Sequence, residues 1–114
     1  MRGRTVEKRR ARNEALFREV NERIETIGRE LSDGDLPLKR LQLVCECGRE
    51  DCTEVLEATV AEYESVRADA RRFLVLPGHE HTDTARVVER TSHFFVVEKL
   101  GEAGKVAIER DPRA

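Results

Sequence analysis

Three cysteines fall within eight consecutive residues, Cys45-Glu46-Cys47-Gly48-Arg49-Glu50-Asp51-Cys52, and the 114-residue chain contains no other. An odd set packed into one segment fits a disulfide scaffold poorly, because small secreted domains usually disperse an even number of cysteines. Two sulfurs two positions apart, followed by a glycine-bearing stretch that can return a third to the same point, suit a thiolate metal site instead. A closed structural zinc site takes four ligands and accepts one imidazole beside three thiolates. His79 and His81 follow Pro77-Gly78, a turn from which an imidazole can project, whereas His93 precedes Phe94-Phe95 and reads as an ordinary strand residue. The expected ligands are Cys45, Cys47, Cys52 and either His79 or His81, with His79 preferred because it directly follows the turn. Two alternatives stay open: a fourth ligand from a carboxylate or a second chain, and metal-free cysteines, either reduced or with Cys45 and Cys52 joined.

A metal would matter to a chain this short. Leu, Ile, Val and Phe number 29 of the 114 residues, enough to fold but with a thin core. The spacing from Cys52 to His79 would close a long loop, and binding would couple to folding. The expected organisation is a basic arm or helix start over residues 1–12, one zinc-binding domain over 13–110, and a tail over 111–114.

From Glu7 to Leu31, Phe17, Val20, Ile24, Ile27 and Leu31 recur at intervals of three and four, with Leu16 widening the stripe. That pattern predicts an amphipathic helix, stopped by Ser32-Asp33-Gly34-Asp35, which packs its apolar stripe on the domain and turns its polar face to water. The same stripe could serve self-association or another protein. Leu36 to Val44 and Val55-Leu56 predict the two arms of a cysteine-bearing hairpin. Thr59 and Glu62 form a capping-box pattern for a second helix ending near Ala70 or Arg71. Phe73 to Leu76, Val87-Val88 and Phe94 to Val97 predict a three-stranded antiparallel meander, and Lys105 to Glu109 an added edge strand. The expectation is an α+β fold: long N-terminal amphipathic helix, cysteine-bearing hairpin, second helix and small antiparallel sheet, stabilised by zinc.

Charge separates along the chain. Residues 1–12 carry +5 and residues 13–66 carry −8, so Arg9, Arg10 and Arg12 offer an alternative nucleic-acid contact. No apolar run is long enough to span a membrane and no signal-like segment follows the N-terminus, which makes the cytoplasm the expected location. Nucleotide-binding glycine motifs, HExxH and a CxxC pair are all missing, so redox or hydrolytic chemistry has no sequence support. Three cysteines and one histidine would leave no open metal position for water, which points away from an enzyme. The leading reading is a small intracellular zinc-binding structural or protein-interaction module; the alternative is a nucleic-acid or transcription-associated accessory protein using the basic N-terminus, and behind it a small thiol or metal-dependent enzyme built on the cysteines and the His79-Glu80-His81 loop.

The spacing CxCxxxxC, here only Cys45 to Cys52, resembles the zinc-binding tail beside the catalytic fold of SET-domain methyltransferases. The chain is too short for that catalytic fold, and the resemblance implies a compact sulfur site without methyltransferase activity. CECGREDC, EYESVR, FLVLPGHEH, RVVER and FFVVEK, spanning about residues 14 to 100, resemble segments of small uncharacterised actinobacterial proteins. That resemblance implies a compact family domain and no particular substrate.

Overall fold

The computed structural model describes residues 2–32 and 34–113, so Asp33 of the expected helix stop lies outside the described residues. Arg2–Glu30 form one 29-residue helix, α1, about 43 Å long at 1.5 Å per residue. A single 3-10 turn at Leu36–Leu38, with Pro37 in its first turn, replaces the start of the expected extended arm. Strands β1 (Arg40–Val44) and β2 (Val55–Thr59) pair antiparallel in the register Arg40 to Thr59 through Val44 to Val55. Leu41, Leu43, Leu56 and Ala58 alternate inward along this hairpin, as a half-buried ribbon requires.

Helix α2 (Val60–Arg67) begins on the expected capping box: the Thr59 hydroxyl accepts from Glu62 N–H and the Glu62 carboxylate accepts from Thr59 N–H. It ends short of Ala70, and its face Val60, Tyr63 and Val66 is buried. Strands β3 (Arg72–Val75), β4 (Ala85–Arg90) and β5 (Phe95–Lys99) form the second sheet, all antiparallel. The order is β3-β5-β4 and not the expected meander. Val96, Val97, Glu98 and Lys99 are all buried, so β5 is covered on both faces and takes the centre. β4, with a register shift between Val87 and Glu89, forms one edge.

The expected C-terminal edge strand is instead a helix, α3 (Gly101–Glu109). Val106 and Ile108 alternate, but the period that wins is helical: Ala103, Gly104 and Ala107 are the small residues turned inward. A Cβ on Gly104 would lie 2.9 Å from the Lys99 carbonyl oxygen, so only glycine lets this helix approach the end of β5.

The largest departure concerns α1. Among its described side chains the buried ones are Ala11, Glu14, Ala15, Arg18, Asn21 and Glu25, the face that sequence pattern assigns to water. Leu16, Val20, Ile27 and Leu31 are 53%, 38%, 54% and 74% exposed, while Phe17 and Ile24 are half-buried at the rim. The polar face wins because the domain offers it specific partners. Arg18 donates to the carbonyls of Ala70 and Ala107, both at 2.7 Å, and lies over the Phe73 ring. Lys99 donates to the Glu14 carboxylate in a buried ion pair. Gly28 abuts Leu41, whose Cδ2 would lie 2.7 Å from an added Cβ.

Candidate metal centre

Cys45, Glu46 and Cys47 continue from β1 into a tight knuckle. Cys45 N–H donates to the Glu54 carbonyl and Glu46 N–H to the Leu74 carbonyl, binding the knuckle to the chain beyond it and to β3. Gly48 turns the chain with φ +77°, and a Cβ there would lie 2.6 Å from the Arg10 carbonyl oxygen and from the Glu14 side chain. Only glycine satisfies both the left-handed backbone and the close approach of α1. Cys52 N–H then donates to the Arg49 carbonyl, returning the third sulfur to the first two.

His79 arrives from the other sheet. Beyond β3, Leu76 to His79 close a turn in which His79 N–H donates to the Leu76 carbonyl, with Pro77 second and Gly78 third at φ +91°; proline and glycine at these places are the signature of a type II turn. The turn delivers His79 Nδ1 to 3.6 Å from the sulfurs of both Cys45 and Cys52. The ligand atoms of Cys45, Cys47, Cys52 and His79 all lie within 4.8 Å of one another, with Cys45 and Cys47 buried and the other two partly so. This Cys3His cluster can coordinate a divalent metal. All three cysteines are free thiols.

The surroundings favour one thiolate, on Cys47, over the other two sulfurs. Leu76 N–H donates to Cys45 Sγ at 3.3 Å. Hydrogen bonding from Cys45, reinforced by the Arg49 backbone, His79 and Cys52 against the opposing effect of burial, pulls Cys47 down to about 4. The shared proton and burial push Cys45 up, and burial pushes Cys52 up. The two cysteines of the knuckle sit in an apolar cluster with Phe73, Val75, Ala85, Val97 and Ala107, which excludes water from one side.

His81, the other candidate ligand, points elsewhere. Its Nε2–H donates to the Cys47 carbonyl at 2.8 Å, and Nδ1 accepts from Arg10 at 3.0 Å. Burial holds its pKa low, in keeping with a neutral ring that uses one nitrogen as donor and the other as acceptor. It braces the knuckle without entering the cluster. His93 is exposed in the β4–β5 turn.

Three contributors escaped the sequence reading. Asn21 exchanges both its amide groups with the backbone of Val44, donating to the carbonyl at 2.9 Å and accepting from the N–H at 2.8 Å, as a paired strand would. It also donates to Glu46, at 2.7 Å. Glu46, wholly buried between the two knuckle cysteines, accepts in addition from Leu74 N–H; burial raises it to about 7 against the hydrogen bond from Asn21. Asn13 donates to the Gly48 carbonyl. The one available signal was two asparagines eight positions apart on a helix, where asparagine is a poor interior residue.

Arg9 and Arg10 face the knuckle region, Arg9 at 3.6 Å from Glu50 and Arg10 paired with Asp83; Arg12 is exposed. No helix among the described residues is long and apolar enough to cross a membrane. Comparison with protein-family models, curated proteins and solved structures found no match.

Proposed function

We propose that this chain is a non-catalytic, zinc-stabilised protein-interaction module working in a reducing, intracellular setting. One observation carries the reading: the equal 3.6 Å separations of His79 Nδ1 from two sulfurs. Tetrahedral zinc with Zn–S near ~2.3 Å and Zn–N near ~2.05 Å has a sulfur-to-nitrogen edge of about 3.6 Å. Three thiolates and an imidazole are a soft, nitrogen-tolerant set that favours zinc over calcium or magnesium. Four protein ligands fill its shell and leave no position for an activated water, which favours structure over catalysis. Free thiols concentrated at one site are kept available in a reducing compartment.

Cys45, Cys47 and Cys52 hold the hairpin, His79 holds the β3–β4 connection, and the metal would tie the two sheets at one point. Because α1 docks on the knuckle through Asn13, Asn21 and the Gly48 contact, the site also sets how the helix is presented. A nucleic-acid role has weaker support, since Arg10 is already engaged by Asp83 and His81.

Metal analysis of untagged protein tests the reading. One zinc per chain is expected, lost in Cys47→Ser and His79→Ala and retained in His81→Phe. A folded, metal-free protein with three freely titratable thiols overturns it.

A further inference from the structure

A helix that buries its polar face leaves an apolar seam open. Along α1, Phe17, Ile24 and Leu31 occupy one heptad position and Val20 and Ile27 the complementary one, the a and d spacing of a two-stranded coiled coil; Val20, Ile27 and Leu31 are exposed, while Phe17 is half-buried and Ile24 rests one side on the domain's own core. The residues flanking this seam differ between its sides. On one side, Asn21 is buried and Gly28 lies against Leu41, so the domain itself covers that flank. On the other side, Arg23 and Glu30 are exposed. Neighbouring Glu22, Glu25 and Arg29 are taken up in ion pairs within the chain, whereas Arg23 and Glu30 make none among the described residues.

We infer that the seam is occupied by a second copy of this chain, running antiparallel. A parallel pair would match the exposed flank of one helix with the covered flank of the other, and no charge would find a partner. An antiparallel pair matches exposed flank with exposed flank. With Ile24 of one copy opposite Ile27 of the other, and Val20 opposite Leu31, Arg23 of each copy meets Glu30 of the other. Both cross pairs are attractive, and eight apolar side chains close into four layers. Sliding by one heptad would set Arg23 against Arg23, which the like charges oppose.

This inference rests on the interaction-module reading and names its partner. Sedimentation of the zinc-loaded full chain, from low micromolar to several hundred micromolar, reads it. A reversible dimer is expected. Ile27→Glu, at an exposed position, abolishes it. Arg23→Glu weakens it by about tenfold, the effect of turning two attractive pairs repulsive, and Arg23→Glu with Glu30→Arg restores it. A monomer throughout the range overturns the proposal, as does a dimer indifferent to Ile27→Glu or one that the double exchange does not recover. Zinc content and circular dichroism on the same samples separate the two readings: a folded, zinc-bearing monomer removes the dimer and leaves the metal site standing.

Discussion

Gly48 shows how much one residue can decide. Its positive φ and its contact with the Arg10 carbonyl place two independent demands on the same atom. Gly34, by contrast, has nothing within 4 Å of a built Cβ. Gly48→Ala is therefore expected to destabilise by about 2–4 kcal/mol through backbone strain and helix displacement, and Gly34→Ala by less than about 0.5 kcal/mol; chemical denaturation of the two variants compares them. Asn21→Ala should cost about 1–3 kcal/mol, because it strips Val44 of both backbone partners and leaves the buried Glu46 with one. The convergence of the three cysteines was legible in the sequence because their spacing is local. The preference for His79 over His81 rested only on its place directly after the turn; the fold brings the His79 ring to sulfur and the His81 ring to the Cys47 carbonyl, a division that depends on packing no local pattern carries.

At the scale of elements, α1 was legible as a helix and misread as a surface. Hydrophobic periodicity locates an apolar stripe but is silent on what the domain offers in return. Here the domain offers two carbonyls, an aromatic ring, an ammonium and a strand end to Arg18, Glu14 and Asn21. The consequence reverses ordinary intuition. Arg18→Ala should cost about 2–4 kcal/mol by leaving the Ala70 and Ala107 carbonyls and a cavity behind, while Leu16→Ala should change stability by less than about 0.5 kcal/mol, as urea midpoints would record. α3 was misread for a related reason: alternation of Val106 and Ile108 imitates a strand, and the deciding contact is the close approach of Gly104 to Lys99. The capping box of α2 was legible because it is complete within four residues.

Over the whole molecule, long-range ion pairs tie the C-terminal end to α1 and α2. Arg67 reaches Glu22 and Asp111, and Arg113 reaches Glu22, Glu25 and Glu64. Hydrogen bonding from Arg113 pulls Glu64 down to about 2. Burial alone would raise Glu22 and Asp111, but bonds from Arg113 and Arg67 outweigh it and hold both low. Carboxyls depressed in the fold contribute stability above their ordinary range and lose it as pH falls. Arg113→Ala should therefore lower Tm by a few degrees near pH 6, a modest effect because the pairs are partly solvated, and the gap from the native chain should shrink as pH falls from about 4.5 toward 2. Comparing the two chains at each pH cancels the acid sensitivity that a bound metal would bring.

The proposed metal would join hairpin, turn and helix at the Cys45, Cys47, Cys52 and His79 cluster, and cobalt(II) titration of the apo chain tests it most directly. The account predicts saturation at one ion per chain, with the intense visible bands of four-coordinate cobalt, sulfur-to-metal charge transfer in the ultraviolet, and displacement by one equivalent of zinc. Absence of saturable binding, or the pale spectrum of six-coordinate cobalt, would contradict it.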